Sequence, residues 1–146
     1  VSIAVVYLLQ TFVFGVDLDM DQQIADLRLH EGELNVMELL WSNKSLAAKD
    51  IAKIIKEYIG WEKNTTYTVI KRLIDKGAIV REEPGFVCRA NVSKRTVQKI
   101  ETKVLLDKLF NGSLSTFFYE YLRNQELSNS EILELQRVLS ERSLRP

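Results

Sequence analysis

Hydrophobic residues recur at helical spacing from Leu29 onwards, and this pattern predicts three consecutive helices. The first helix ends near Ser42, and its apolar side consists of Leu34, Met37, Leu40 and Trp41. The second ends at Gly60, and its i, i+3, i+4, i+7 stripe consists of Ile51, Ile54, Ile55 and Tyr58. The third runs from about Lys63 to Lys76, before a capping Gly77, and its stripe consists of Thr66, Val69, Ile70 and Leu73.

The period of the pattern changes after Gly77. Residues 78–82 (AIVRE) and 86–90 (FVCRA) are short runs rich in β-forming residues, and the segment that joins them contains Pro84 and Gly85. Proline and glycine at such a connection are typical of a hairpin turn. Three helices followed by a hairpin predict a winged helix-turn-helix domain, which we expect to span residues 29–92.

Helical spacing resumes after Asn91, where three more helices are predicted. They cover about residues 94–110, 114–124 and 129–141, with a break at Asn111-Gly112. Ser128 and Glu131 match the capping box that begins a helix. We therefore expect residues 93–146 to form a helical arm, and the fold class to be mainly α with a small β-hairpin.

The middle helix of this arm has a wide apolar face, and five aromatic residues fall between positions 110 and 121. Three short helices offer no partner within the chain that is large enough to cover such a face. We therefore expect the arm to be the dimerisation domain of a homodimer; the alternative is that it folds back on the winged helix. The expected interface residues are Phe110, Leu114, Phe117, Phe118, Tyr121, Leu122, Leu135 and Leu139.

Short polar and basic side chains lie opposite the apolar stripe of the third helix. Hydroxyl, amide and cationic groups near the start of a helix suit contacts with base edges and phosphates in the major groove. The segment NTTYT is a poor helix former, so helix stability alone does not account for its composition. The predicted DNA-binding residues are Lys63, Asn64, Thr65, Tyr67, Thr68, Lys71 and Arg72, with Arg81 on the hairpin.

Two alternatives stay open for this interface. Arg81 and Arg89 of the hairpin are opposed by Glu82 and Glu83 at the turn, so the wing arginines are equally well explained as ordinary exposed strand residues. The domain as a whole could also be a protein–protein interaction module without sequence-specific DNA binding. A neutral or apolar surface around residues 64–72 would favour that second alternative.

The composition excludes several classes of protein. The 20 Lys and Arg residues balance 20 Asp and Glu residues, so DNA binding must depend on local charge rather than on a global positive field. One cysteine, Cys88, and one histidine, His30, rule out an intramolecular disulfide and a Cys/His zinc site, and leave few hydrolytic triads. We expect no enzymatic activity, no cofactor, no metal and no small-molecule ligand. Cys88, Trp41 and Trp61 are expected to be core residues.

Residues 1–28 form a segment that differs in composition from the rest. Its opening VSIAVVYLLQTFVFGV has no basic n-region and is shorter than the roughly 17–25 residues of a membrane span. Met20 resembles a natural start, so we expect residues 1–19 to be upstream sequence or a poorly ordered extension. A membrane anchor and a segment packed on the domain are the alternatives. The expected location is cytoplasmic.

Four stretches together resemble the penicillinase-repressor family, which includes methicillin-resistance repressors and copper-responsive relatives. They are LHEGELNVMELLW, WEKNTTYTVIKRLIDKG, LFNGSLSTFFYEYL and ELSNSEILELQRVL, within residues 29–142. The resemblance implies a homodimeric winged-helix repressor of antibiotic-response (beta-lactamase-type) genes, bound to an inverted-repeat operator. It also implies release by a membrane sensor-protease system, with cleavage between Glu120 and Tyr121.

The chain departs from the family pattern at several positions. His30 replaces a Ser or Thr cap and Gly32 replaces Ala, so the first helix is expected to begin weakly. Phe86 occupies a wing position that is often basic in the family. Residues 129–146 contain no cysteine, which argues against copper sensing.

Overall fold

The computed structural model describes residues 27–143. Its helices are α1 (Glu31–Ser42), α2 (Ala48–Tyr58), α3 (Lys63–Asp75), α4 (Lys94–Leu109), α5 (Leu114–Leu122) and α6 (Asn129–Ser143). Its strands are β1 (Leu46–Ala47), β2 (Ile79–Glu82) and β3 (Val87–Ala90). The chain divides into two compact units between Thr102 and Lys103. Our expectations for residues 1–26 lie outside the described residues.

The core of the first unit is built from the apolar stripes of α1, α2 and α3. The predicted stripe of α3 is buried at all four positions. On α2 the stripe is placed correctly at Ile51 and Ile55, but the prediction for Tyr58 is wrong, since 84% of this residue is exposed. Tyr58 is the last residue of α2, beyond the packed turns, and the buried face is completed instead by Ala48 and Ala52.

The hairpin is confirmed, and a third strand joins it. Strands β2 and β3 pair antiparallel from Ile79 opposite Ala90 to Glu82 opposite Val87. Strand β1 pairs with the other edge of β3, so the sheet order is β1-β3-β2. Gly85 in the turn has a φ of +93°, a conformation that glycine adopts without steric cost. The result is a winged helix, with α3 leading directly into the wing.

A buried ion pair stabilises the start of α1. The Glu33 carboxylate, 3% exposed, accepts a hydrogen bond from Lys76 Nζ at 2.7 Å and another from the His30 backbone N–H at 3.1 Å. Lys76 Nζ also donates to the Arg28 carbonyl at 2.8 Å. Glu33 therefore satisfies the backbone N–H of the N-cap residue, and Lys76 joins the end of α3 to the start of α1.

Gly32 and the two tryptophans belong to the same packing. A Cβ atom at Gly32 would lie 3.1 Å from Cη2 of Trp61, so the glycine leaves room for the indole. Trp61 and Trp41 both pack against the core, as expected, and Trp41 Nε1 donates to the Val92 carbonyl at 2.8 Å. Cys88 is fully buried, and this burial raises the pKa of its thiol.

The first turns of α4 pack on the winged helix. Val97 lies in the core, Ile100 is buried, and Lys94 forms an ion pair with Glu38 of α1 at 2.8 Å. The unit that contains the wing therefore extends to Thr102, ten residues past the end of the predicted DNA-binding domain.

In the second unit, α5 and α6 begin with side-chain caps. Ser113 Oγ accepts from the Thr116 backbone N–H at 3.2 Å. The predicted capping box is confirmed, because Ser128 N donates to Glu131 Oε2 at 2.8 Å and Glu131 N donates to Ser128 Oγ at 3.2 Å. These hydrogen bonds satisfy the first N–H groups of short, exposed helices. No helix within residues 27–143 has the length and apolar character needed to cross a membrane.

Candidate nucleic-acid interface

The outer face of α3 is polar and basic. Burial of the stripe from Thr66 to Leu73 fixes the rotation of the helix, so the opposite face points to solvent. The first turn of α3 contains no acidic residue, and the helix dipole adds partial positive charge at that end. Six predicted DNA-binding residues are exposed on this helix: Lys63, Asn64, Thr65, Thr68, Lys71 and Arg72.

Thr68 lies one turn along this face, where its hydroxyl has a local partner. Its Oγ1 donates to the Asn64 carbonyl at 2.9 Å, the back-bonding typical of threonine within a helix. The hydroxyl oxygen keeps its capacity to accept a hydrogen bond from a base or a water molecule. Thr68 and Asn64 are thus neighbours on one exposed face, at a spacing of one helical turn.

Tyr67 is half-buried and differs from the other predicted residues. Its ring packs edge-on against Phe86 of the wing, with centroids 5.7 Å apart, and Lys63 Nζ lies 5.5 Å from its centroid. Tyr67 therefore connects α3 to the wing. Phe86 occupies the wing position that was noted above as often basic in the family that the sequence resembles. Here its ring is the apolar partner of Tyr67.

The wing arginines are paired with glutamates of the same hairpin. Arg81 Nε lies 2.5 Å from Glu83 Oε1, and the Arg81 guanidinium lies 3.6 Å from the centroid of the Phe86 ring. Arg89 pairs with Glu82 at 3.1 Å. The Phe86 backbone N–H and Arg81 lower the pKa of Glu83, so this carboxylate stays charged at neutral pH. In the structure, each wing arginine is therefore neutralised by a glutamate of the same hairpin.

Lysines of α2 are functional candidates that we did not predict. A shallow cleft of about 220 Å³ is lined by Lys49, Ala52, Lys53, Lys56 and Lys63. The three α2 lysines are spaced i, i+4, i+7, which places them along one side of the helix, and this spacing is visible in the sequence. The apolar period of α2 does not point to these lysines, because they lie between the positions of the apolar stripe.

The arm presents the apolar surface that we expected, and its rings are partly packed on one another. Phe117 lies edge-on to Phe110 at 5.3 Å between centroids and stacks on Tyr121 at 5.8 Å. An open groove of about 570 Å³ separates α5 from α6 and is lined mainly by apolar atoms. Its lining includes the predicted interface residues Phe117, Phe118, Tyr121, Leu122 and Leu135.

Other predicted interface residues lie on exposed surface of the arm. Leu114, Tyr121 and Leu139 are each more than half exposed, and Phe110 is half-buried. Glu120 and Tyr121, the expected cleavage position, are in the last turn of α5. Within residues 27–143, no group of His, Cys, Asp and Glu side chains has the arrangement of a metal site.

Comparison with known proteins identifies the family of the chain. The family model of the penicillinase repressor matches residues 29–141. The chain belongs to the penicillinase repressor family. This is a family of transcriptional repressors, so the chain is a regulator and the expectation that it is not an enzyme is confirmed.

Relatives of the family match most of the chain. The penicillinase repressor of Bacillus licheniformis is 29% identical over 78% of this chain and 91% of that protein. The penicillinase repressor of Staphylococcus aureus is 31% identical over 75% of this chain and 88% of that protein. The methicillin resistance regulatory protein MecI of Staphylococcus aureus (strain N315) is 26% identical over 78% of this chain and 94% of that protein.

A solution structure of the DNA-binding domain of the repressor BlaI is also similar. It has a TM-score of 0.44 and 29% sequence identity, and it covers 46% of this chain and 84% of that domain.

Proposed function

We propose that this chain represses transcription by binding duplex DNA sequence-specifically through α3. The observation that carries the proposal is the exposed face of α3, which consists of polar and basic groups on a helix whose other side is fixed in the core. Asn64 and Thr68 are the candidates for base contacts, since amide and hydroxyl groups match base edges in the major groove. Lys63, Thr65, Lys71 and Arg72 are the candidates for phosphate contacts.

Membership of the penicillinase repressor family supports this proposal over the alternative of a protein-binding module. The chemistry of α3 supports it as well. The exposed side chains from Lys63 to Arg72 are hydroxyls, an amide and cations, whereas a protein-binding surface of this size usually has an apolar centre.

We further propose that the repressor is a homodimer assembled through the arm. The groove between α5 and α6 and the exposed leucines beside it form an apolar surface that a second arm would cover. A twofold dimer presents two copies of α3, which matches an operator made of two inverted half-sites. Such a protein acts in the cytoplasm, where bacterial DNA is.

Release from the operator is proposed to follow cleavage between Glu120 and Tyr121 by a membrane sensor-protease system. The bond lies in the last turn of α5, a helix of nine residues that contains no fully buried side chain. A helix this short has little stability of its own, so local unwinding can expose the bond. The cut would separate Tyr121 and Leu122 from Phe117 and divide the apolar surface.

Selection of bound sequences from a random duplex pool at fixed salt tests the proposed function. We expect an enriched site with two inverted half-sites, and weaker enrichment with the Asn64→Ala/Thr68→Ala variant. Lys99→Ala, an exposed substitution on α4, is the control and should select the wild-type site. A pool without an enriched sequence would contradict DNA-based repression and favour a protein-binding module.

A further inference from the structure

We propose that this repressor holds the DNA backbone with the lysine cleft beside α3 and not with its wing. The cleft is the surface formed by Lys49, Lys53 and Lys56 of α2 and by Lys63 at the start of α3. The ligand is a phosphate of duplex DNA. The inference rests on the proposed function, because it assumes that α3 faces a duplex.

The cleft is lined by positively charged residues. Four lysines line a concavity of about 220 Å³, and no Asp or Glu within residues 27–143 is part of its lining. Lys49 and Lys53 are exposed and form no ion pair with any carboxylate between residues 27 and 143. Like charges at i, i+4 spacing destabilise an isolated helix, so this arrangement has a cost that an anionic ligand would remove.

The cleft lies beside the start of α3. Lys63 is the first residue of α3 and borders the cleft, and Asn64, a candidate for base contact, follows it directly. In helix-turn-helix proteins the helix before the recognition helix crosses the DNA backbone while the recognition helix enters the groove. A phosphate at the cleft would also meet the positive end of the α3 dipole.

The arginines of the wing are neutralised within the hairpin. Arg81 and Arg89 are each paired with a glutamate of their own hairpin. A phosphate that approached either arginine would have to displace that glutamate, and Glu83 would remain beside it as a repelling charge. The wing therefore offers little net attraction, whereas Lys49 and Lys53 of the cleft have no ion-pair partner among the described residues.

One residue of the cleft is already partly neutralised. Lys56 Nζ lies 3.2 Å from both carboxylate oxygens of Glu62, which is the N-cap residue of α3. The Glu62 side chain makes no capping hydrogen bond, so a change to Gln leaves the helix start intact and frees Lys56. This gives the proposal a variant that is expected to bind DNA more tightly than the wild type.

Titrations of a mixed-sequence duplex over a range of salt concentrations test the cleft. For Lys49→Ala/Lys53→Ala, we expect the slope of log K against log[salt] to fall by about one unit for each lysine removed. Glu62→Gln should raise the affinity at low salt and steepen the slope. Lys49→Arg/Lys53→Arg should keep the wild-type slope. Arg81→Gln/Glu83→Gln and Arg89→Gln/Glu82→Gln each remove one ion pair of the wing without changing its net charge. These two variants and the control Lys99→Ala should stay within about twofold of wild type, which is a small effect on this scale.

The outcomes distinguish a failure of the proposed phosphate contact at the cleft from a failure of the proposed function. An unchanged slope for Lys49→Ala/Lys53→Ala, in a variant with the wild-type thermal unfolding curve, would overturn the proposal that the cleft binds phosphate. A larger loss of affinity from the two charge-neutral wing variants would overturn it as well. If the lysine variants lose affinity for the mixed-sequence duplex but the wild type selects no sequence from a pool, the cleft is supported and the sequence-specific repressor fails. A wild type that binds no duplex would overturn both.

Discussion

At the scale of single residues, the structure separates side chains that are positioned for DNA from those that hold the domain together. Asn64 and Thr68 are exposed and joined only by a hydrogen bond within the helix. Tyr67 and Thr66, on the same helix, are tied to the wing and to the core. Adjacent positions of one short segment thus have different structural roles. Substitutions at the exposed positions should affect DNA binding, and substitutions at the packed positions should affect stability.

Thr68→Ala and Asn64→Ala should each weaken binding to the preferred operator by about 1–3 kcal/mol, because each removes a proposed base contact. Binding to a mixed-sequence duplex should change little, because neither residue carries a charge. Titration of both duplexes at one salt concentration gives the comparison. Lys71→Ala is the matched variant, and it should lower both affinities by a similar factor. Equal binding of the operator by wild type and all three variants would contradict the proposal that α3 is the DNA-binding helix.

Lys76→Ala should lower the free energy of unfolding by about 3 kcal/mol, since it leaves the buried carboxylate of Glu33 without its cation. Denaturant unfolding measures this loss. Lys99→Ala, an exposed lysine of α4, is the control and should change stability by less than about 0.5 kcal/mol. A Lys76→Ala protein as stable as the control would mean that Glu33 has another compensating partner.

At the scale of helices and strands, the sequence predicts what depends on local periodicity. The bounds of α3, its buried stripe and the β2–β3 hairpin follow from apolar spacing and from the turn residues Pro84 and Gly85. Strand β1 does not follow, because its two residues become a strand only by pairing with β3, some forty residues later. The burial of Glu33 is likewise invisible in the sequence, since it depends on Lys76 at the far end of another helix.

The capping box at the start of α6 gives a pH-dependent contact. The backbone N–H and the hydroxyl of Ser128 donate to Glu131 and lower the pKa of this carboxyl below its ordinary value of 4.5. The contact therefore stabilises α6 above that pH and is lost as the pH falls through the lowered pKa. In Ser128→Ala, we expect an NMR titration to place the pKa of Glu131 closer to 4.5.

Glu134 provides the internal control for that titration. Its pKa is lowered by Arg137, not by Ser128, so it should titrate alike in both proteins. An unchanged Glu131 pKa in Ser128→Ala would show that the capping contact does not persist in solution.

The position of the bond between Glu120 and Tyr121 in the last turn of α5 also leads to a prediction. In cells that carry the gene and are exposed to a cell-wall antibiotic, we expect a fragment with Tyr121 as its new N-terminus. Protein sequencing of the repressor fragments identifies the cut. A chain that stays intact while its target genes are expressed would contradict cleavage as the release mechanism.

At the largest scale, the proposed repression depends on two chains acting together. The apolar surface of the arm and the basic face of α3 lie in different units of the chain, so assembly and DNA contact can be altered separately. The sequence predicts the apolar surface from its aromatic spacing, but not the extent to which Phe110, Phe117 and Tyr121 pack on one another. Phe110 and Phe117 meet across the turn at Asn111 and Gly112, both of which have positive φ angles, whereas Phe117 and Tyr121 lie one turn apart on α5.

Leu139→Asp should convert the dimer to a folded monomer. Leu139 is 67% exposed in the single chain, so the substitution leaves the fold intact but would bury an unpaired carboxylate in a dimer interface. Sedimentation velocity measures the change. Phe117→Asp should have the same effect and also disturb the aromatic packing of α5. Tyr119→Asp, outside the proposed interface, is the control; a Leu139→Asp protein that sediments as the wild-type dimer would exclude this surface.

The central claim is that a dimer places two copies of α3 in successive major grooves of an inverted repeat. The most direct test is to measure affinity for the selected operator and for a version with about five base pairs inserted between its half-sites, which rotates them by half a turn. We expect the insertion to lower the affinity to the level of a single half-site. A second insertion of the same length restores the phase but not the original distance between the grooves, so binding should stay weak. Equal affinity for the original and the lengthened operators would contradict the claim, because it would mean that each chain binds its half-site independently.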